Sequence, residues 1–207
     1  MYCPNAFKET RRKVLHQLIR DYPLAQLITI GIDGPMANPV PFSLHPGEAS
    51  GVLRAHLPRQ HPQLETLLKG GQTLLIFQGP QCYVSPSWYP SKAEHGRVVP
   101  TWNYATVQVR GVARVIDDAA WVRDQIDYLT HQLEHQRDDA WQVEDAPADF
   151  TAGLLKALVG VEIPIQAIEG KWKVSQNRSP ADRQGVRDGL EAEGRCPEML
   201  AAMGHRG

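Results

Sequence analysis

The feature that most constrains this chain is how little sequence separates its first β-rich segments. Leu24 to Gly31 is rich in strand formers, Asp33-Gly34 is a strong two-residue hairpin signal, and a return strand runs through Met36 to Leu44. His45-Pro-Gly-Glu48 reads as a second turn, and Gly51 to Leu57 as a third strand. A parallel crossover needs a dozen or more residues, so strands this close must pair antiparallel, in a meander or a barrel.

Helices and further strands surround that meander. Thr10 to Asp21 carries Val14, Leu15, Leu18 and Ile19 at helical spacing, with Pro23 as a stop. His61-Pro62 opens a short helix through Leu64, Leu67 and Leu68, which Gly70 or Gly71 ends. Thr73 to Phe77 reads as a buried strand, and Cys82 to Val84 pairs after Gly79-Pro80. Ser85 to Pro100 is a long ordered loop, and Thr101 to Ile116 alternates as a strand does. Asp117 caps a helix to about Gln136 with Val122, Ile126, Leu129 and Leu133 inward, and a second follows Pro147 through Phe150, Leu154, Leu155 and Leu158. A final strand pair, Val159 to Ile168 and Lys171 to Ser175, is joined near Glu169-Gly170, and a polar helix from Ser179 ends at Gly194. Six or seven strands with four helices predict an α+β barrel. Residues 1–207 then form one domain with a helical extension from about residue 179.

Composition narrows the function classes. The apolar share of 42% is enough for a real core. A net charge of −1 without a basic stripe argues against direct DNA binding, and Arg11-Arg12-Lys13 reads as a solvated face. Three cysteines, odd in number and without metal-type spacing, argue against a disulfide framework or a zinc knuckle. No apolar run approaches the ~18 residues a bilayer span needs, so the expectation is a soluble, cytoplasmic protein. His131 and His135 are four apart on a helix, opposite the Leu129/Leu133 stripe, and read as solvent-exposed rather than metal-binding. The set of metal ligands is therefore empty.

Three segments carry the chemistry. In Lys171-Trp-Lys-Val-Ser-Gln-Asn-Arg-Ser-Pro-Ala-Asp-Arg183, two cations and several hydrogen-bonding side chains lead into a helix. Ser179 is its N-cap, Pro180 its first residue and Asp182 the third, a capping-box-like arrangement. Cations beside a helix start suit a phosphate or carboxylate. Arg54-Ala-His56-Leu-Pro-Arg59-Gln-His61-Pro62 is a second junction of this kind, whose plainer reading is a polar turn. Ser85-Pro-Ser-Trp-Tyr89 and Pro100-Thr-Trp-Asn-Tyr104 place aromatic rings beside small polar groups, which suits a planar heterocycle as well as ordinary packing.

Taken together these motifs resemble the PaiB family of FMN-binding negative transcriptional regulators. The matching pieces run in order: Met1-Tyr2-Cys3-Pro4, Phe77-Gln-Gly-Pro80, Ser85 to Tyr89, Val99 to Tyr104, Gly160-Val-Glu162-Ile-Pro164, and Ile168 to Arg178. The resemblance implies a split β-barrel of the flavin-reductase or pyridoxamine-phosphate-oxidase type, with peripheral helices, as a homodimer with two FMN sites at its interface. It assigns Arg54, His56, Arg59 and His61 to the phosphate side. It further implies that Lys171, Lys173, Ser175 and Gln176 come from the dimer mate and that Thr101, Trp102 and Asn103 lie near the ring. Arg59-Gln-His61-Pro62-Gln-Leu64 departs from the family's usual Arg-Ala-Asn-Pro-x-Trp, although His61 keeps one donor.

The same resemblance implies alternatives. One is a small FMN-dependent oxidoreductase using NAD(P)H, with Tyr89, His95 and Tyr104 as acid–base candidates by residue type alone. Another is a haem protein akin to the piperazate synthases, which form an N–N bond, with His56 as axial ligand.

Overall fold

Tight turns and sheet-switching bends, rather than crossover helices, organise the strands. The computed structural model describes residues 1–47 and 50–204, so part of the expected turn at His45–Glu48 lies outside the described residues. The described chain runs β1 (Lys8–Glu9), α1 (Arg12–Asp21), β2 (Leu24–Gly31), β3 (Gly34–Pro41), β4 (Ser43–His45), β5 (Val52–Pro58), α2 (Leu64–Leu68) and β6 (Gln72–Val84). It continues through α3 (Ser91–His95), β7 (Thr101–Val112), β8 (Arg114–Ile116), α4 (Ala119–Glu134), α5 (Ala148–Lys156), β9 (Leu158–Pro164), β10 (Ala167–Lys173), α6 (Pro180–Glu193) and α7 (Pro197–Gly204). Met1–Asp21, Gln78–Val107 and Glu169–Gly207 make one compact unit, and Tyr22–Phe77 with Gln108–Ile168 the other. Both β6 and β7 contribute to each unit.

The second unit holds the meander. β2 pairs antiparallel with β3 over its whole length and with the first half of β6. The turn is Ile32-Asp33, one residue earlier than expected, and Gly34 opens the return strand at φ 109°, a value only glycine adopts without strain. The expected strand from Met36 to Leu44 is broken at Phe42, where the chain leaves one sheet for another of order β4-β5-β9-β8. Ala113 makes the same switch between β7 and β8. Such bends let two sheets enclose one core. Leu27, Phe42, Leu53, Leu75, Phe77, Val161 and Ile163 are fully buried there, with Phe42 edge-on to Phe77 at 6.4 Å. Gly111 is required beside the Ala113 bend, because a Cβ would sit 2.4 Å from the Pro164 carbonyl oxygen.

β9 and β10 are not the expected hairpin. They belong to different sheets, separated by Ile165-Gln166, and β9 pairs with β5 and β8 instead. Asp118, not Asp117, caps α4, accepting from the amides of Ala120 and Trp121. The buried stripe of α4 is Val122, Gln125 and Leu129, while Leu133 is exposed. α5 buries none of its side chains, and Leu158 belongs to β9.

In the first unit, β1 pairs with β10. α1 seats Leu15, Leu18 and Ile19 in the core, as its spacing predicts. β6 runs straight through Gly79-Pro80, which was expected to divide it. Gly79 is there for contact rather than a turn, since a Cβ would approach Leu18 to 2.8 Å. The Ser85–Pro100 segment is ordered by a 3-10 turn (Pro86–Trp88) and α3. α6 matches its signals: Ser179 accepts from the Asp182 amide and Gly194 closes it at φ 60°. The capping box is only half formed, because the Asp182 carboxylate is taken by the amide and hydroxyl of Ser91. α7 was not expected; it buries Met199 and Met203.

Candidate functional site

All seven residues assigned to the ring side and the dimer mate's share gather in the first unit. β10 alternates Lys171 and Lys173 on one side with buried Trp172 between them. Lys173 Nζ donates to the Thr101 hydroxyl and the Trp102 carbonyl. Lys171 Nζ donates to the Tyr2 carbonyl at 3.1 Å and lies 5.3 Å from the Tyr104 ring and 5.6 Å from that of Tyr2. After β10 the chain turns sharply at Ser175, which adopts φ 63° although it is not glycine. The Asn103 side chain locks it, donating to Ser175 Oγ at 2.9 Å and accepting back at 3.2 Å. Gln176 spends its amide inside the turn, accepting from Val174 N and donating to the carbonyls of Ala6 and Trp172.

Three features of this corner were not singled out from the sequence. The Arg178 guanidinium lies 4.8 Å over the Tyr89 ring, just beyond the turn. Trp102, 55% exposed, meets exposed Tyr83 edge-on at 6.1 Å. Burial, and then repulsion from Arg178 and Lys171, hold the Lys173 ammonium below the usual lysine range. An anion at Lys173 would relieve that repulsion. The residues present therefore fit a phosphorylated planar group: cations for the anion, open aromatic rings for the plane.

The four phosphate-side candidates lie in the second unit, each bonded to a different partner. On β5, Leu53, Ala55 and Leu57 point into the core, so Arg54 and His56 share the other face. Arg54 Nε donates to Glu162 at 3.0 Å, with its guanidinium 5.3 Å from the Trp121 ring. His56 faces Gly160, the one residue that leaves room for Trp121, whose ring would stand 2.3 Å from a Cβ there. His56 Nδ1 is 2.6 Å from Gln125 Oε1, a hydrogen bond that fixes the ring's orientation. Gln125 is 2% exposed, and its Nε2 has no hydrogen-bond partner. Arg59 is engaged elsewhere, forked onto Asp117 and donating to the Lys156 carbonyl at 2.7 Å. His61 accepts from the Gln63 amide before α2 begins, and burial lowers its pKa.

Elsewhere in this unit, a cavity of about 320 Å³ opens between the end of α4 and the Trp141–Glu144 segment. Its carboxylates are already engaged: Asp127 and Glu144 with Arg123, Glu134 with Arg137. His131 and His135 are exposed as expected and stack at 5.7 Å. Among the described residues no group of three or more His, Cys, Asp or Glu could hold a metal, and no helix is long and apolar enough to cross a membrane.

Comparison with known proteins agrees with the family resemblance. An uncharacterised protein of Emericella nidulans is 35% identical, over 92% of this chain and 90% of its own length. The protease synthase and sporulation protein PAI 2 of Bacillus subtilis is 26% identical, over 93% of this chain and 90% of its own. Among solved structures, the FAD and heme binding protein of Mycobacterium smegmatis superposes with a TM-score of 0.58 at 19% identity, covering 80% of this chain and 73% of that one. A flavocytochrome of Azotobacter vinelandii gives 0.59 at 13% identity, over 80% and 69%. Both likenesses concern the fold, and the α+β split-barrel class expected from the motifs holds. The model of the putative FMN-binding domain matches residues 1–167, and the chain belongs to that family, the PaiB type to which its motifs point.

Proposed function

We propose that this protein binds FMN, with the phosphate held by the cations around Lys173 and the ring against the Trp102–Tyr83 pair. The observation that carries the reading is the Lys173 ammonium, held against the Thr101 hydroxyl and the Trp102 carbonyl, with the exposed Trp102 ring edge-on to Tyr83. A bound flavin supplies two-electron exchange with nicotinamides; the chain's own part is to hold the anion, orient the ring and limit water around it. FMN titration by fluorescence quenching tests this. Lys173→Ala should weaken binding about 10–100-fold, because one charge-assisted contact contributes about 1.5–3 kcal/mol. Equal affinity in both proteins would refute the assignment.

The same reading is dimeric. The outer face of β2, β3 and β6 presents Leu24, Ile28, Ile30, Ala37, Pro39 and Ile76 around a single Gln26, without a charge among them. A self-complementary apolar face of this kind suits a two-fold contact with a second copy. In the dimer Arg54, His56, Arg59 and His61 of one copy serve the flavin whose ring and remaining phosphate contacts, Thr101, Trp102, Asn103, Lys171, Lys173, Ser175 and Gln176, come from the other. Light scattering should give twice the chain mass, and Ile30→Lys should halve it.

The output of this reading is regulatory, in line with the sporulation role in the relative's name. It runs through the flavin's redox state rather than direct DNA contact, since a chain of net charge −1 offers little to a phosphate backbone. Reduction by NAD(P)H, and with it a cytoplasmic setting, belongs to the same proposal; a flavin spectrum that never bleaches on anaerobic mixing with NADH or NADPH would overturn it. A second reading rests on His56, whose Nδ1–Gln125 bond is the kind of support a haem-ligating histidine has. A Soret band abolished by His56→Ala, with flavin binding intact, would establish it.

A further inference from the structure

Two of the three cysteines, far apart in the sequence, meet in the first unit. Cys82 lies on the buried side of β6, 4% exposed. Cys196 occupies the short link between α6 and α7 at φ 53°, a left-handed conformation that a non-glycine residue keeps only when its surroundings hold it. Those surroundings are specific. The Cys196 carbonyl accepts from Met199 N at 2.9 Å, opening α7, and the Arg195 amide donates back to Leu190 O at 3.2 Å. Cys196 Sγ sits 3.6 Å from the Gln81 carbonyl oxygen, one residue before Cys82, so the two cysteines are neighbours and Cys196 helps raise the Cys82 thiol. Cys3 instead faces the carbonyls of Pro4 and Gly170 at 3.8 and 3.9 Å.

We propose that Cys82 and Cys196 form a reversible dithiol–disulfide couple, oxidised by hydroperoxides and reduced by small thiols. Cys196, the more accessible sulfur, attacks the peroxide as thiolate. The O–O bond breaks, one oxygen stays on Cys196 as a sulfenic acid, and the other leaves, protonated, as water or an alcohol. Cys82 then attacks that sulfur: the S–S bond forms, and the hydroxyl departs as water with the Cys82 proton. Two thiols lose two electrons in all, and the peroxide gains them. Burial, and then the neighbouring Cys196, push the Cys82 thiol up to about 12, so Cys82 stays a protonated thiol while Cys196 meets the peroxide, and it gives up its proton only in the slower step that forms the S–S bond.

The bond would tie the α6–α7 link to β6. Cys82 also takes a hydrogen bond from the Asn103 backbone and feels the Lys173 charge, so the tether would form beside two residues of the candidate site. Nothing in the couple requires a flavin.

Full-length protein treated with a slight excess of hydrogen peroxide, then alkylated and mapped by mass spectrometry without reductant, tests the proposal. Cys82 and Cys196 should lose alkylation together and yield one linked peptide that dithiothreitol abolishes, while Cys3 stays alkylated. Cys82→Ser should leave a Cys196 sulfenic acid that dimedone traps, and Cys196→Ser should slow Cys82 oxidation by about tenfold or more. Circular dichroism before and after treatment confirms that the chain stays folded. Full alkylation of both cysteines in folded, peroxide-treated protein would overturn the proposal. Links to Cys3 instead, or Cys82 oxidation unchanged by Cys196→Ser, would do the same.

Discussion

Ser175 offers the sharpest test of how the corner around Lys173 is built. It is 3% exposed, left-handed, and bonded in both directions to an Asn103 side chain that is itself 1% exposed. Ser175→Ala keeps the unfavourable φ and strands the Asn103 amide, which costs about 1–3 kcal/mol for an unsatisfied buried group and about 1 kcal/mol for the lost hydroxyl bond. The expected destabilisation is therefore about 2–4 kcal/mol. Ser175→Gly loses the same bonds but relieves a left-handed penalty of about 1–2 kcal/mol, partly offset by glycine's extra chain entropy of about 0.5–1 kcal/mol. Glycine should thus be the milder change by about 0.5–1 kcal/mol, although it is the larger truncation. Urea denaturation of wild type, Ser175→Ala, Ser175→Gly, Asn103→Ala and the double alanine variant measures this directly. The double-mutant cycle should show a coupling of about 1–2 kcal/mol. Additivity within about 0.5 kcal/mol, or glycine harsher than alanine, would refute the account of the turn.

Two further outcomes follow from packing and burial. A Cβ at Gly189 would stand 2.4 Å from the Trp88 ring, and one at Gly185 2.0 Å from the Trp88 carbonyl oxygen, so α6 needs both glycines to seat on the Pro86–Trp88 turn. Gly189→Ala should lower stability by about 1–3 kcal/mol despite alanine's better helix propensity, and a raised melting temperature would contradict this seating. His45 is held below its ordinary 6.5 by burial first and the Arg54 charge second, with Glu162 opposing. The folded state therefore gives up this proton more readily than the unfolded chain, so stability is complete above 6.5 and declines as pH falls through it toward the depressed folded value. His45→Gln should flatten that decline in urea midpoints, and an unchanged slope would show that other groups cause it.

Much of the architecture was legible because it depends on neighbours in the chain. The span of β2, the inward face of α1 and both ends of α6 follow from residues within one or two turns of each other. The misread places share a different cause. Gly79-Pro80 looks like a break, yet Gly79 makes room for Leu18; Asp117 looks like a cap, yet it holds Arg59. In each case a residue with a familiar local role is committed to a distant partner. The candidate site divides in the same way. Lys171, Lys173 and Ser175 were visible as a run, whereas the Trp102–Tyr83 pair and the hold of Gln125 on His56 join segments that carry no mutual signal in sequence.

The amino-acid sequence by itself determined that the strands pair antiparallel, that helices cap where Ser179 and Gly194 stand, and that the chain belongs with PaiB-type proteins. These depend on turn length, on hydrogen bonds within a few residues, and on motif order. Only the tertiary structure decided where strands change sheets, which cations crowd Lys173, and that Cys82 and Cys196 are neighbours. Those outcomes depend on which surfaces remain after the core has closed, and no stretch of a few residues contains that information.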